Sequence, residues 1–235
     1  MPCPLRCAAP THPEPPLLTL ASTVSAGSRP DAYRADGSWL SLNGLWDADG
    51  SPKDLSAPPF APAVLPKQIL VPFPFEASLS GIRELPAHHY MWYRRALSVP
   101  AGKHSSGGRV ILKFEAVDWH SEVYINGKKI GQHSGGYDGF EFDITEALGG
   151  KSGAELVVGV YDPTEEGDQP HGKQYMAAFS ATKASSKYTS TSGIWATVRL
   201  EFVHSRYRVY HRSRQPILYT CRKGNPYRRA LLLRV

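Results

Sequence analysis

Between Trp39 and Val203 the strand-forming residues come in runs of four to ten, each closed by glycine, proline, a polar turn or an Asn-Gly pair. Runs that short, rich in Val, Ile, Tyr, Phe and Trp and without a 3.6-residue period, build strands rather than amphipathic helices. The clearest are Tyr90 to Val99, Arg109 to Phe114, Glu122 to Ile125 with its return Lys128 to Gly131, Gly139 to Ile144, Glu155 to Tyr161 and Ile194 to Val203; an earlier one spans Trp39 to Trp46 around a turn residue. Asn126-Gly127 predicts a tight hairpin, because both turn positions favour positive φ. Thr145 to Leu148 is expected to form one helical turn. About seven strands with no repeat of fixed period predict an all-β, antiparallel two-sheet jelly-roll sandwich.

Proline sets the limits of that body. Eight prolines between residues 50 and 87 (52, 58, 59, 62, 66, 72, 74 and 86) exclude long helices and central strands there, leaving a long wrapping loop. Residues 1–38, rich in Pro, Ser and Ala, are expected to be a disordered extension. Residues 39–203 form the expected domain, and 204–235 a basic tail.

The net charge of +6 belongs to that tail. Nine of the 27 basic residues lie in 204–235 with no acid among them, so the preceding residues hold 18 bases against 21 acids, a balance of −3. Nucleic acid is therefore not expected as the main partner of the body. Three cysteines (Cys3, Cys7 and Cys221) form neither a disulfide framework nor a zinc spacing. No apolar run reaches 18 residues and no secretory signal is visible, so no membrane partner is expected and a soluble, cytoplasmic protein is the default reading.

Phosphate-loop, zinc-protease and nucleophile-elbow motifs are absent, and neither a cofactor, a metal site nor a catalytic residue is assigned. Glycosidase chemistry needs two carboxyl groups facing one another across a sugar. Asp118, Asp138, Glu141 and Asp143 lie in or beside loops, where turn and strand-end roles are the ordinary alternative. Two loops mix aromatic rings with amide and charged groups, as sugar sites do: Val117 to His120, and Asp162 to Ser192. They supply the carbohydrate-contact candidates Asp118, Trp119, Gln169, Lys173, Gln174 and Tyr188. Trp119 and Tyr188 serve equally well as covers for the ends of a sandwich.

The motifs Asn43-Gly44-Leu45-Trp46, Val71 to Glu76, Trp92-Tyr93-Arg94-Arg95, Phe114 to Asp118, Val123 to Lys128, His133 to Phe140, Phe142 to Thr145 and Ser192-Gly193-Ile194-Trp195 occur in the order found in glycoside hydrolase family 2. The chain resembles the N-terminal sugar-binding jelly roll of that family of β-galactosidases, β-glucuronidases and β-mannosidases, over about residues 39–203. The resemblance implies a β-glycoside as partner and retaining O-glycosidase chemistry, with the catalytic glutamates on a barrel too large for the 32 residues after Val203. It also implies that the isolated sandwich exposes an apolar docking face for the barrel. Gln169 to Gln174 resembles a sugar-facing loop of the family, in which an Arg is usual where His171 stands. The acid-free tail departs from the family pattern, and a truncated or alternatively spliced glycosidase product is the expected origin. Two other readings are a stand-alone lectin-like module and a nucleic-acid binder acting through the tail, the last requiring salt-sensitive binding lost on deleting 204–235.

Overall fold

The computed structural model describes residues 37–100, 103, 107–180 and 186–205. The expectations for residues 1–36 and for the basic tail beyond Ser205 lie outside the described residues. A six-stranded antiparallel sheet contains β2 (Gly44–Asp49), β3 (Lys67–Val71), β4 (Tyr90–Ser98), β7 (His120–Ile125), β8 (Lys128–Ser134) and β10 (Gly153–Tyr161), in the order β3-β2-β4-β10-β7-β8. Facing it is a four-stranded sheet of β1 (Trp39–Ser41), β5 (Arg109–Phe114), β9 (Phe140–Asp143) and β12 (Val198–Val203), in the order β1-β12-β5-β9. A two-stranded ribbon pairs β6 (Val117–Asp118) with β11 (Gly193–Ile194) at one end. This is the two-sheet antiparallel sandwich predicted from the short, punctuated runs.

Alternation decides what each strand buries. Ser121, Val123 and Ile125 of β7 point inward, as do Leu156, Val158 and Val160 of β10, and Val198 and Leu200 of β12. With Trp46, Ile69, Phe75, Met91, Tyr93, Leu112 and Phe114 they form the core between the sheets. The Asn126-Gly127 turn forms as predicted, at φ +50° and +79°. The helical turn α1 (Thr145–Leu148) also forms; Asp143 Oδ1 accepts the N–H and hydroxyl of Thr145, and Gly149 closes it in the left-handed region.

Two runs divide. Leu42 and Asn43 separate β1 from β2, so Trp39 and Trp46 belong to opposite sheets. The terminal run breaks between β11 and β12, and Asn43 joins the two breaks: its Oδ1 accepts Val198 N–H at 3.2 Å and its Nδ2 donates to Thr197 Oγ1 at 3.3 Å. Apolar residues resume on both sides of each break, so β-rich composition alone runs the two pieces together, although Asn43 marks a turn in the first.

The proline-rich segment contributes one strand, β3, at the edge of its sheet; residues 52–66 before it run as a strap over the outer face of the six-stranded sheet, while Phe75 after it enters the core. Leu55, Phe60 and Leu65 pack there on Trp92, Tyr124 and Val157. Gly159 permits this, since a Cβ on it would lie 2.6 Å from the Trp92 ring. Arg94 donates to the carbonyls of Pro59 and Ala63, and Ala61 N–H donates to Glu155 Oε1. The outer face of the four-stranded sheet is instead paved with ion pairs: Lys113 with Glu141 and Glu201, Arg199 with Glu115 and Glu201, and Arg109 with Asp143.

Candidate functional site

At the ribbon end, three chain segments converge on Asp118. Pairing of Asp118 with Gly193 fixes its backbone, and the carboxyl turns inward, leaving the residue 2% exposed. Gln174 Nε2 donates to Asp118 Oδ2 at 3.0 Å and to the Tyr137 hydroxyl at 3.2 Å, while Gln174 Oε1 accepts Thr191 N–H at 2.6 Å. Every polar atom of this amide is thus engaged in tying three loops together. Gly172, at φ +62°, turns the chain so that Gln174 N–H reaches the carbonyl of His171. Gly136 supplies the remaining space, because a Cβ there would run into the Asp118 carboxylate.

Aromatic residues gather at this end. Trp195 is half-buried, donates its indole N–H to Gly136 C=O at 2.9 Å and meets Tyr137 edge-on at 6.2 Å. Trp119 is half-buried beside Asp118, and its carbonyl accepts Gly135 N–H. Tyr188 is 66% exposed; its backbone bonds to Lys173 and Tyr175, and Lys173 Nζ lies 5.9 Å from its ring centre.

Behind the surface lie two more buried acids. Glu76 accepts the Ser190 hydroxyl at 2.9 Å and Ser192 N–H at 3.0 Å, which pins the strand leading to β11. Asp162 Oδ1 accepts Thr164 N–H. Burial, and then the charge of Asp162, push the Asp118 carboxyl up to about 7, against the pull of the Gln174 hydrogen bond. Burial likewise raises Glu76 and Asp162, opposed mainly by Ser192. Tyr93, wholly buried between these acids and Ile194, accepts Ile194 N–H at 3.2 Å, and burial raises its phenol. Burial thus disfavours the charged form of all three carboxyls. Among the described residues no cluster of His, Cys, Asp and Glu has the geometry for a metal ion, and no helix is long and apolar enough to cross a membrane.

Of the six candidates read from the sequence, the structure joins Asp118 directly to Gln174 and groups Trp119 at the same end. Lys173 and Tyr188 lie together on the neighbouring loop. Gln169 is placed apart: it is buried, with Nε2 donating to Thr164 C=O at 2.7 Å. Sequence reasoning missed Tyr137 and Trp195 as site residues. Their signal was present in the Gly135-Gly136-Tyr137 turn and in the indole following Gly193-Ile194, positions that a resemblance marks only as motif.

Comparison with known proteins identifies the fold's lineage. The family model described as glycosyl hydrolases family 2, sugar binding domain, matches residues 66–200. A β-galactosidase of Thermoanaerobacter pseudethanolicus is 34% identical over 113 residues, covering 42% of this chain and 15% of that protein. A β-glucuronidase of Bacteroides fragilis is 44% identical over 57 residues, covering 24% and 8%. The solved structure of Faecalibacterium prausnitzii β-glucuronidase superposes with a TM-score of 0.52 at 27% identity, over 70% of this chain and 31% of that one. The chain thus spans less than a third of the length of each of these relatives. The family match takes in more than half of the chain and includes β3 to β11, with Asp118, Gln174 and Trp195, and the chain belongs to glycosyl hydrolases family 2 through its sugar binding domain.

Proposed function

We propose that the Asp118 end of the sandwich binds the hydroxyl rim of a β-linked sugar, and that the chain serves as the carbohydrate-binding part of an O-glycosidase of the β-galactosidase and β-glucuronidase kind. One observation carries the reading. Gln174 spends all its hydrogen bonds on holding Asp118, Tyr137 and Thr191 in place, and no other side-chain donor reaches the Asp118 carboxyl among the described residues. A buried carboxyl held this way beside Trp119, Tyr137 and Trp195 pairs a hydrogen-bonding group with apolar ring faces, which is what a pyranose presents in return. Lys173 and Tyr188 form the rim. Gln169 is assigned to support of the loop.

Binding, not bond cleavage, is the proposed activity of this chain by itself. Calorimetric titration of the full chain with methyl β-galactoside and methyl β-glucuronide is expected to give saturable binding that Asp118→Ala and Gln174→Ala each weaken at least tenfold. Unchanged affinity in both folded variants would remove the site. Binding without hydrolysis of aryl β-glycosides is the expected pattern, and turnover by the purified chain would overturn the division of labour.

A further inference from the structure

A concavity opens between the segment after β3 and the strand entering β11, meeting the Asp118 end at Thr191, whose N–H is held by Gln174. It measures about 390 Å³, within the range of small-ligand sites. Pro74 and Phe179 give it apolar walls, and Ser78, Thr189 and Thr191 give it hydroxyl groups. Glu76 lines it too, but its carboxyl is already taken by Ser190 and Ser192. Arg83 is the exposed cation of this lining, held at φ +53°. The acid next to it in sequence, Glu84, pairs with Lys67. The Arg83 guanidinium has no ion pair or hydrogen bond among the described residues.

An unspent guanidinium presents a planar fork that matches a carboxylate with two parallel hydrogen bonds. Ring-shaped apolar walls with hydroxyls between them suit the body of a sugar. We propose that this cleft is a second ligand site, taking a pyranose that carries a carboxylate, a hexuronic acid, with its charge on Arg83 and its ring between Pro74 and Phe179. Glu76, the acid of the lining, keeps its carboxyl on Ser190 and Ser192, so the negative group of the ligand is placed on Arg83.

The test uses the full chain at fixed ionic strength, with saturation-transfer NMR and titration of D-glucuronate, D-glucose and acetate. D-glucuronate is expected to bind saturably, at least tenfold more tightly than either of the others. Arg83→Gln is expected to weaken it about tenfold, the loss typical of one charged hydrogen-bonding partner, and to do so equally in a chain whose Asp118 end is disabled by Gln174→Ala. Methyl β-galactoside, which carries no carboxylate, is expected to bind Arg83→Gln as it binds wild type. That separates failure here from failure of the Asp118 reading. Arg83→Lys, which keeps the charge and loses the fork, is expected to fall between wild type and Arg83→Gln, and it decides the matter if Arg83→Gln does not fold. Acetate binding as well as glucuronate, an adventitious anion only, overturns the proposal. So does an affinity unchanged in Arg83→Gln, or in Arg83→Lys where that variant alone folds, and so does the absence of saturation.

Discussion

Gln174 and Asp118, 56 residues apart in sequence, are joined by a 3.0 Å hydrogen bond that connects the long loop before β11 to the end of β6. The bond reaches a carboxyl that burial keeps largely protonated until near neutrality. Folding raises the Asp118 pKa to about 7, so the folded state binds a proton more tightly than the unfolded chain. Stability contributed by that proton is present at acid pH and lost as pH rises from the ordinary carboxyl range through about 7. Glu76 and Asp162 shift in the same direction. Urea unfolding at pH 5.5 and pH 8 is expected to differ by roughly 1 to 3 kcal/mol in favour of the lower pH. Asp118→Asn should flatten that dependence. A stability that rises between pH 5.5 and 8 would contradict the assignment.

Gly136→Ala places a methyl group against the Asp118 carboxylate. Overpacking at such a contact costs about 1 to 3 kcal/mol. Denaturant titration checks that loss. Sugar affinity is expected to fall as well, because Trp195 donates to the carbonyl of the same residue.

Glu76→Ala removes the acceptor for the Ser190 hydroxyl and for Ser192 N–H, both buried. Two donors left without partners cost about 2 to 5 kcal/mol together. Glu76→Gln, which keeps one carbonyl acceptor, is expected to retain part of the stability. Thermal unfolding of the two variants orders them as wild type, Gln, Ala.

Trp92→Ala takes away the ring on which the strap rests. A loss of about 3 to 5 kcal/mol is expected, together with faster cleavage between residues 52 and 66 by a protease of broad specificity. Equal cleavage rates in wild type and variant would show that the strap is not held by this contact.

The sandwich was legible because its signals are local. Most strands announce themselves as short β-rich runs and Asn126-Gly127 specifies its own turn, whereas β3 lay inside the proline-rich stretch read as loop. The site was legible only in part. Asp118 and Gln174 were readable as residue types suited to sugars, but their meeting depends on the pairing of β6 with β11, which no spacing encodes. Tyr137 and Trp195 gain their place from Gly136, whose importance is the space it leaves. Glu76 lay hidden in a proline-rich stretch that reads as loop, because its partners arrive more than a hundred residues later. Gln169 shows the converse: an amide in the expected loop, turned inward to hold the backbone.

The order of strands in the smaller sheet also bears on how the protein comes to exist. β12 lies between β1 and β5, pairing Leu200 with Leu40 on one side and with Leu112 on the other. A nascent chain emerging from the ribosome therefore holds its first strand unpaired until about 160 residues later, while β5 presents an open edge. Assembly must wait for a distant closing event, which slows it and leaves sticky backbone available to other chains in the meantime. Chaperone dependence during synthesis, absent when the finished chain refolds in dilute solution, is the behaviour expected of a sheet completed from its middle.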